Sequence, residues 1–146
     1  MSRGQRIGPV LSVEITGMER LQYAIRRLSL HDMDALLEVI GSTVESQTRT
    51  RISTEKTDPD GGKWKPWSSS YAATRHSGHS LLVNDGNLRD SIEFQVEGNS
   101  VVIGSNLVYA GYQNATRTFL GLSDENQDEL QHTINDWMRR EMGLSI

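Results

Sequence analysis

The sequence contains no cysteine and only three prolines, and aromatic residues make up 6% of its 146 positions. The absence of cysteine excludes disulfide bonds and thiol chemistry. No apolar run approaches the roughly 20 residues of a membrane-spanning helix, and the first ten residues lack the apolar core of a signal peptide. The length suits one domain with its own hydrophobic core, and we expect no membrane partner.

Excess basic charge is also missing. The formal net charge of the chain is -4. Residues 119–146 alone carry a net charge of -4, because they contain six acidic and two basic side chains. Proteins that bind nucleic acid generally present a basic surface to the phosphates. The composition therefore disfavours a general DNA- or RNA-binding protein.

The N-terminal half predicts an arm, a strand and two helices. Residues 1–9 are polar and contain two glycines and a proline, which is typical of an arm. Residues 10–15 alternate apolar and polar side chains, as a strand does, and residues 16–28 have the apolar spacing of a helix. A second helix is predicted from Asp32 to about Ile52. Arg49 and Arg51 fall at its C-terminal end, where we expect them to be solvated and to complement the helix dipole.

The C-terminal half predicts a loop, a hairpin and a closing helix. Residues 53–67 are predicted as loop, 68–75 as a short helix and 76–80 as a flexible tip. Alternation from Ser91 to Glu97, the turn residues Gly98-Asn99 and a return over 101–104 are typical of a β-hairpin.

The last two helices are predicted from their caps. Asn106 is the expected cap of a short helix over residues 107–114, and Ser123 and Gly143 bound a long amphipathic helix. The element order β-α-α-β-β-α indicates an α+β fold. We expect a small antiparallel sheet with a central β-hairpin, packed by two N-terminal helices and one C-terminal helix, in a single domain over residues 10–146.

No motif for catalysis, cofactor binding or metal binding is complete. Asp58 and Asp60 suggest a calcium loop, but the remaining ligand positions of such a loop are not met, and the neighbouring Pro59 and glycines favour consecutive turns. His76 and His79 have zinc-like spacing without further ligands. The nucleophile-elbow, dinucleotide and phosphate-loop patterns are absent from the sequence. We therefore expect no enzyme, no cofactor and no metal.

Two tryptophans flank Lys65-Pro66 in the stretch "DPDGGKWKPWS", residues 58–68. Tryptophans beside lysines can stack on single-stranded bases, cover the edge of the core or fill a partner's pocket. The missing basic surface disfavours the first reading, and composition leaves the other two open. We predict that Trp64 is buried because the preceding glycines let the loop fold back, and that Trp67 lies at a partner or a core edge.

Four segments in order resemble the phage virion morphogenesis family, which includes tail-completion proteins of Mu-like and related tailed phages. They are "DPDGGKWKPWS" at 58–68, "LLVNDGNLRDSI" at 81–92, "VVIGSNLVYAGYQN" at 101–114 and "RTFLGLS" at 117–123. The resemblance spans roughly residues 15–142. A glycine-rich loop that is usual in the family before the last segment is reduced here to residues 114–116.

The resemblance implies a structural virion protein of the tail or neck, assembled in the host cytoplasm, that completes the tail for head–tail joining. It implies a homo-oligomeric ring, expected to be a hexamer, with other neck proteins such as a connector or tail terminator as partners and DNA only passing through the channel. The alternatives are a phage accessory enzyme, such as a cell-wall hydrolase or nuclease, and a capsid or DNA-packaging accessory protein.

Within this reading, Phe119 and Leu120 are expected to anchor the last helix to the hairpin, and Arg117 to face a neighbouring subunit or a carboxylate. The acidic face of the last helix is expected to line the channel, to meet a basic neck protein or to be an ordinary solvated face. The residues expected to form interaction surfaces are Trp64, Trp67, Tyr109, Gln113, Arg117, Phe119, Asp124, Glu125, Asp128 and Glu129.

Overall fold

The computed structural model of the chain describes residues 10–14, 28–66, 72–73, 87–107 and 109–143. The predicted arm, the predicted helix over 16–28 apart from its last residue, the predicted tip at 76–80 and most of the predicted short helix at 68–75 lie outside these ranges. The elements described are β1 (Val10–Glu14), α1 (Leu30–Thr50), a π-helix (Arg51–Glu55), α2 (Asn87–Ser91), β2 (Glu93–Glu97), β3 (Ser100–Gly104), α3 (Ala110–Thr116) and α4 (Asp124–Met142).

The three strands form an antiparallel sheet in the order β1-β3-β2. The predicted hairpin is confirmed, with Gly98-Asn99 at the turn and Val96 paired with Val101. Its first strand begins at Glu93 rather than at the predicted Ser91, because Ser91 ends the helical turn α2. The Ser91 hydroxyl donates to the carbonyl of Leu88 at 2.6 Å and helps to close that turn.

Helix α1 starts slightly earlier than predicted and continues as a π-helix. Ser29 is its N-cap, and the Ser29 hydroxyl accepts from the backbone N–H of Asp32 at 3.0 Å. The π-helix ends at Lys56, whose φ of 57° is left-handed. Residues 53–55, predicted as loop, are therefore helical.

Helix α1 lies between the sheet and α4, because it packs against β2, β3 and α4. Its buried positions are therefore not confined to one narrow stripe. Toward the sheet, Gly41 faces the ring of Phe94, and a Cβ built on Gly41 would overlap that ring. The buried apolar core comprises Leu36, Leu37, Ile40, Val44, Ile52, Trp64, Leu88, Ile92, Phe94, Val101, Ile103, Ala110, Phe119, Leu130, Ile134, Trp137 and Met138.

Helix α4 confirms both predicted ends. The Ser123 hydroxyl accepts from the backbone N–H of Asn126 at 3.0 Å, and the Asn126 side chain accepts from the N–H of Ser123 in return, which makes a reciprocal cap. Gly143 is the C-cap. The predicted apolar stripe of the helix is buried at Leu130, Ile134, Trp137 and Met138.

Helix α3 begins later than predicted. Tyr109, not Asn106, is the N-cap, and the helix extends through Thr116. Ser105 provides the local turn instead, because its hydroxyl accepts from the backbone N–H of Leu107 at 3.1 Å. The predicted α+β class is confirmed. None of the helices in the described ranges is long and apolar enough to cross a membrane.

We expect Gly41→Ala to destabilise the protein by about 1–3 kcal/mol, because the added methyl group would have to displace the Phe94 ring. Alanine normally stabilises a helix interior by about 1 kcal/mol relative to glycine, so the expected sign is opposite to the intrinsic preference. Urea unfolding measures the difference. Ser42→Ala, at the exposed neighbouring position, is the control; a Gly41→Ala variant as stable as this control would contradict the close packing.

Candidate functional site

The described parts of two family-like segments, residues 58–66 and 117–123, lie in two loops that contact each other near the C-terminal end of the π-helix. The first is the tryptophan loop, residues 56–66. It is closed by a bridge between Thr57 and Lys63, and the backbone N–H of Asp58 donates to the carbonyl of Gly62 at 2.6 Å. Gly61 has a φ of 95°, which supplies the turn expected there. The second is the RTFLGLS segment, residues 117–123.

Trp64 joins the tryptophan loop to the RTFLGLS segment. Its side chain is 5% exposed, which confirms the predicted burial. The indole Nε1–H donates to the carbonyl of Thr118 at 2.8 Å. A buried indole needs such an acceptor, so this tryptophan both fills the core and fixes the position of the second loop. Trp67 lies outside the described residues.

Arg117 joins the same two loops from the outside. Its Nε donates to the carbonyl of Lys65 at 2.7 Å, and its Nη2 approaches the carbonyl of Pro66 at 3.3 Å. Within the described residues, the hydrogen-bond acceptors of Arg117 are main-chain carbonyls. The expected contact of Arg117 with a neighbouring subunit or a carboxylate stays a prediction.

Arg51 is the buried centre of the arrangement. Its side chain is 1% exposed, so the expectation of a solvated end-of-helix charge is wrong. Nη1 donates to the carbonyls of Phe119 at 2.8 Å and Gly121 at 3.0 Å, and Nη2 donates to Oδ1 of Asn126. One guanidinium thus holds the RTFLGLS segment and the first turn of α4. Arg49 is half-buried, and its Nη2 donates to the carbonyl of Ile92 at 2.6 Å.

Burial and the neighbouring carboxylates shift the pKa of Arg51 in opposite directions. Burial lowers the pKa of the Arg51 guanidinium, and the carboxylates of Glu55 and Asp58 partly offset that effect. Arginine nevertheless stays charged at any physiological pH. A buried charge is tolerated only with good acceptors, and here three of them come from the RTFLGLS segment and the start of α4.

Asn114 completes the fastening of the RTFLGLS segment. Its Oδ1 accepts from the backbone N–H groups of Phe119 at 3.0 Å and Leu120 at 3.1 Å. Phe119 is fully buried in the core that also contains hairpin and α4 residues, and Leu120 packs against that core. That these two residues anchor α4 to the hairpin stays a prediction. The shortened stretch 114–116 is the last turn of α3.

Gly121 allows the two loops to approach closely. Its φ is 144°, and a Cβ on it would lie 2.5 Å from Cγ of Pro59. A side chain at this position would therefore be strained and would push the tryptophan loop away.

The remaining predicted interaction residues are distributed around this core. Tyr109 is 43% exposed, and the carbonyl of Gln113 accepts from the backbone N–H of Arg117 at 2.8 Å. The acidic residues of α4 are exposed, as expected of positions off the apolar stripe; they are Asp124, Glu125, Asp128 and Glu129. Glu129 also has an internal role, because its Oε1 accepts from Nε2 of Gln47 at 2.8 Å.

In chemical terms the arrangement is a scaffold. Trp64 and Arg117 donate to main-chain carbonyls, and Arg51 donates to two main-chain carbonyls and to the Asn126 side chain, so these polar groups fasten the loops to each other. Among the residues that the structure describes, no group of three or more His, Asp or Glu side chains could hold a metal ion.

Comparison with protein-family models matches residues 13–139 to the phage virion morphogenesis family. The matched region contains both loops and all the described helices and strands, except residues 10–12 of β1 and residues 140–142 of α4. Comparisons with curated proteins and with solved structures gave no match.

We expect Arg51→Met to destabilise the protein by roughly 2–5 kcal/mol, because three buried acceptors would lose a charged donor. Chemical denaturation measures the loss. Arg140→Met, at an exposed position of α4, is the control and should change stability by less than about 0.5 kcal/mol. Equal stabilities of the two variants would contradict the central role of Arg51.

Lys56 gives a pH-dependent prediction. Burial, and to a smaller extent the positive charge of Arg89, lowers the pKa of Lys56 from 10.5 to about 8. Between these values the unfolded chain binds more protons at this group than the folded chain, so its contribution to the free energy of unfolding rises with pH. The destabilising effect of the charged form is fully present below pH 8 and is lost as the pH approaches 10.5.

We therefore expect the free energy of unfolding of the wild type to rise more steeply from pH 8 to 10.5 than that of Lys56→Met. Urea titrations at a series of pH values measure both slopes. Lys65→Met, which removes an exposed lysine, should keep the wild-type slope. If Lys56→Met keeps it too, the lowered pKa is not the cause.

Proposed function

The chain belongs to the phage virion morphogenesis family, and from this premise we propose that it is the structural protein that completes the tail so that head and tail can join. A role in virion assembly follows from the family. The step in assembly, the neck position and a ring of subunits, expected to be six as in the symmetry of tails, are the proposal. The observation that carries it is the match over residues 13–139.

The contacts of Trp64, Arg51 and Arg117 support a structural role. They fasten two loops through main-chain carbonyls, and Arg51 fastens the start of α4 through the side chain of Asn126. In such an arrangement the polar side chains are occupied by internal hydrogen bonds that make the frame rigid. An enzyme would keep polar side chains available for its substrate. A rigid frame is what a subunit needs when it must fit between preformed neighbours, since ordering on assembly costs free energy.

The acidic face of α4 is the surface that this frame presents. Asp124, Glu125 and Asp128 are exposed on a helix whose opposite side is buried. In a ring around DNA, carboxylates facing the channel would repel phosphates and let the genome pass, whereas basic side chains would bind it. Against an adjacent neck protein, the same face would select a basic surface.

A ring requires two different surfaces on each subunit, because closed rings form through head-to-tail contacts. The proposed partners are therefore other copies of this chain within the ring, and the neck and tail proteins above and below it. DNA is proposed to pass through the channel without being held.

The test is in-vitro complementation. Heads and tails from an infection that lacks this protein should remain separate under the electron microscope, and adding the purified protein should restore joined, infectious particles. We expect the variant Asp124→Asn, Glu125→Gln, Asp128→Asn to restore at least about tenfold fewer infectious particles, because the charge of the α4 face is removed while the buried stripe is unchanged.

Two controls separate folding from assembly. The charge-neutral variant should remain folded and lose no more than about 1–2 kcal/mol of stability, because Asp124 and Glu125 lie in the first turn of α4 and complement its dipole. Gln127→Ala, an exposed change on the same helix, should complement fully. Particles that form and infect normally without the protein would refute the proposed function. Full complementation by the charge-neutral variant would refute only the role of the acidic face.

A further inference from the structure

The outer side of the tryptophan loop carries positive charge. Residues 61–66 contain two charged side chains, those of Lys63 and Lys65, and both are exposed. The two lysines flank Trp64, whose side chain belongs to the buried core. Because Trp64 is turned inward, its two neighbours are left on the outer side of the loop.

Arg117 adds a third positive charge at this place. Its Nε and Nη2 donate to the carbonyls of Lys65 and Pro66, so the loop holds the guanidinium next to the lysines. Within the described part of the chain Nη1 has no acceptor, and it is not buried, so a partner at the surface can reach it. Lys63, Lys65 and Arg117 are called the basic surface below.

The basic surface is not neutralised from within the chain. Arg117 is the only charged residue between positions 98 and 123. Among the residues that the structure describes, none of the three basic side chains forms an ion pair. Three positive charges are therefore held in place with their ion-pairing capacity unused.

An exposed aromatic side chain lies near the basic surface. Tyr109, which is 43% exposed, is the N-cap of α3, and Arg117 is the C-cap. Seven helical residues rise by about 11 Å, so both side chains fit within one protein contact, which covers about 800 Å² per partner. Tyrosine and arginine are enriched among the residues that dominate binding to other proteins. This combination favours a protein partner over a nucleic-acid backbone, for which positive charge alone is enough.

A surface of the opposite charge lies at the start of α4. Asp124, Glu125 and Asp128 are exposed, and residues four apart lie on the same face of a helix. Across the described ranges none of these carboxylates forms an ion pair, with the basic surface or with any other cation. These three residues are called the acidic surface below.

The frame prevents the two surfaces from adapting to each other within one chain. Arg117 is tied to the tryptophan loop, and Arg51 ties the start of α4 through the side chain of Asn126. Opposite charges that are fixed without pairing inside one chain remain available to pair between two chains, and electrostatic complementarity of this kind fixes which surfaces meet.

We propose that the basic surface of one copy of the chain binds the acidic surface of a second copy. Each chain carries both halves of the contact, three positive and three negative charges. The contact joins two different surfaces, so it is head-to-tail, the type from which a ring is built. This inference rests on the proposed ring and identifies one of its subunit contacts.

The absence of cysteine makes a cross-linking test direct. Ala115→Cys gives an α3-thiol chain, with its thiol two residues before Arg117, and His132→Cys gives an α4-thiol chain, with its thiol one turn beyond Asp128; both positions are exposed. The two purified full-length variants are mixed, treated with a short bis-maleimide and run on a denaturing gel. We expect a two-chain product from the mixture and only background from either variant alone, because a head-to-tail contact brings one thiol of each kind together.

Charge reversal then tests which surfaces meet. Adding Lys63→Glu and Lys65→Glu to the α3-thiol chain should lower the product at least about fivefold, because like charges would face each other. Adding Glu125→Lys and Asp128→Lys to the α4-thiol chain should have the same effect. Mixing the two reversed chains should restore the product, since opposite charges face each other again.

Two controls match this test. Replacing His132→Cys by Ser42→Cys, exposed on α1, should give only the background of random collisions. Urea unfolding of each reversed chain shows that it is folded, and the restored product in the mixture shows the same independently.

Other outcomes overturn the proposal. A mixture that gives no more product than the single variants would show that the two surfaces do not meet. A product that charge reversal leaves unchanged, or a loss that the second reversal does not restore, would show that the charges of these surfaces do not pair. Duplex DNA bound by the wild type but not by the Lys63→Glu, Lys65→Glu chain, with no cross-link formed, would assign the basic surface to phosphates instead.

These results are independent of complementation. A protein that joins heads to tails without this cross-link would lose only the proposed contact. A protein that forms the cross-link but does not join heads to tails would refute only the proposed function.

Discussion

The buried guanidinium of Arg51 is the interaction on which the arrangement of loops depends. It donates to two carbonyls of the RTFLGLS segment and to the Asn126 side chain that caps α4. Removing an arginine from water is costly unless its donors find acceptors, so the chain around it must adopt one conformation. Arg51 thereby couples the end of the central helix to the beginning of the last helix, and the acidic surface of α4 is held at a fixed place on the fold.

Trp64 and Arg117 extend this constraint to the tryptophan loop. Trp64 donates to the carbonyl of Thr118, next to the peptide that Arg51 holds, and Arg117 donates back to the carbonyl of Lys65. Pro59 of the tryptophan loop also lies directly against Gly121 of the RTFLGLS segment. The described parts of two family-like segments, residues 58–66 and 117–123, are thus brought together in space, and Trp64, Arg117 and Gly121 contribute to the frame. In the account proposed here, assembly is carried by the surfaces that this frame presents.

The sequence predicted the helix ends and the turn that depend only on neighbouring residues. The cap at Ser123, the stop at Gly143 and the turn at Gly98-Asn99 depend on residues within a few positions, and each is confirmed. Burial of Trp64 was predictable from the glycines before it. The role of Arg51 was not, because its acceptor at Phe119 is 68 residues away and is a main-chain carbonyl, which leaves no trace in side-chain pattern. The same reason applies to Arg117, for which a neighbouring subunit or a carboxylate was expected and whose described acceptors are the carbonyls of Lys65 and Pro66.

Arg51 and Trp64 act on one unit of structure, because they hold adjacent peptides at Thr118 and Phe119. A double-mutant cycle with Arg51→Met and Trp64→Phe, the latter removing the indole N–H, tests it by urea unfolding. Side chains in one network show interaction energies of about 0.5–3 kcal/mol, so we expect the double variant to lose less stability than the two single variants combined. Losses that add to within about 0.3 kcal/mol would show that the two side chains act independently, and would contradict the account.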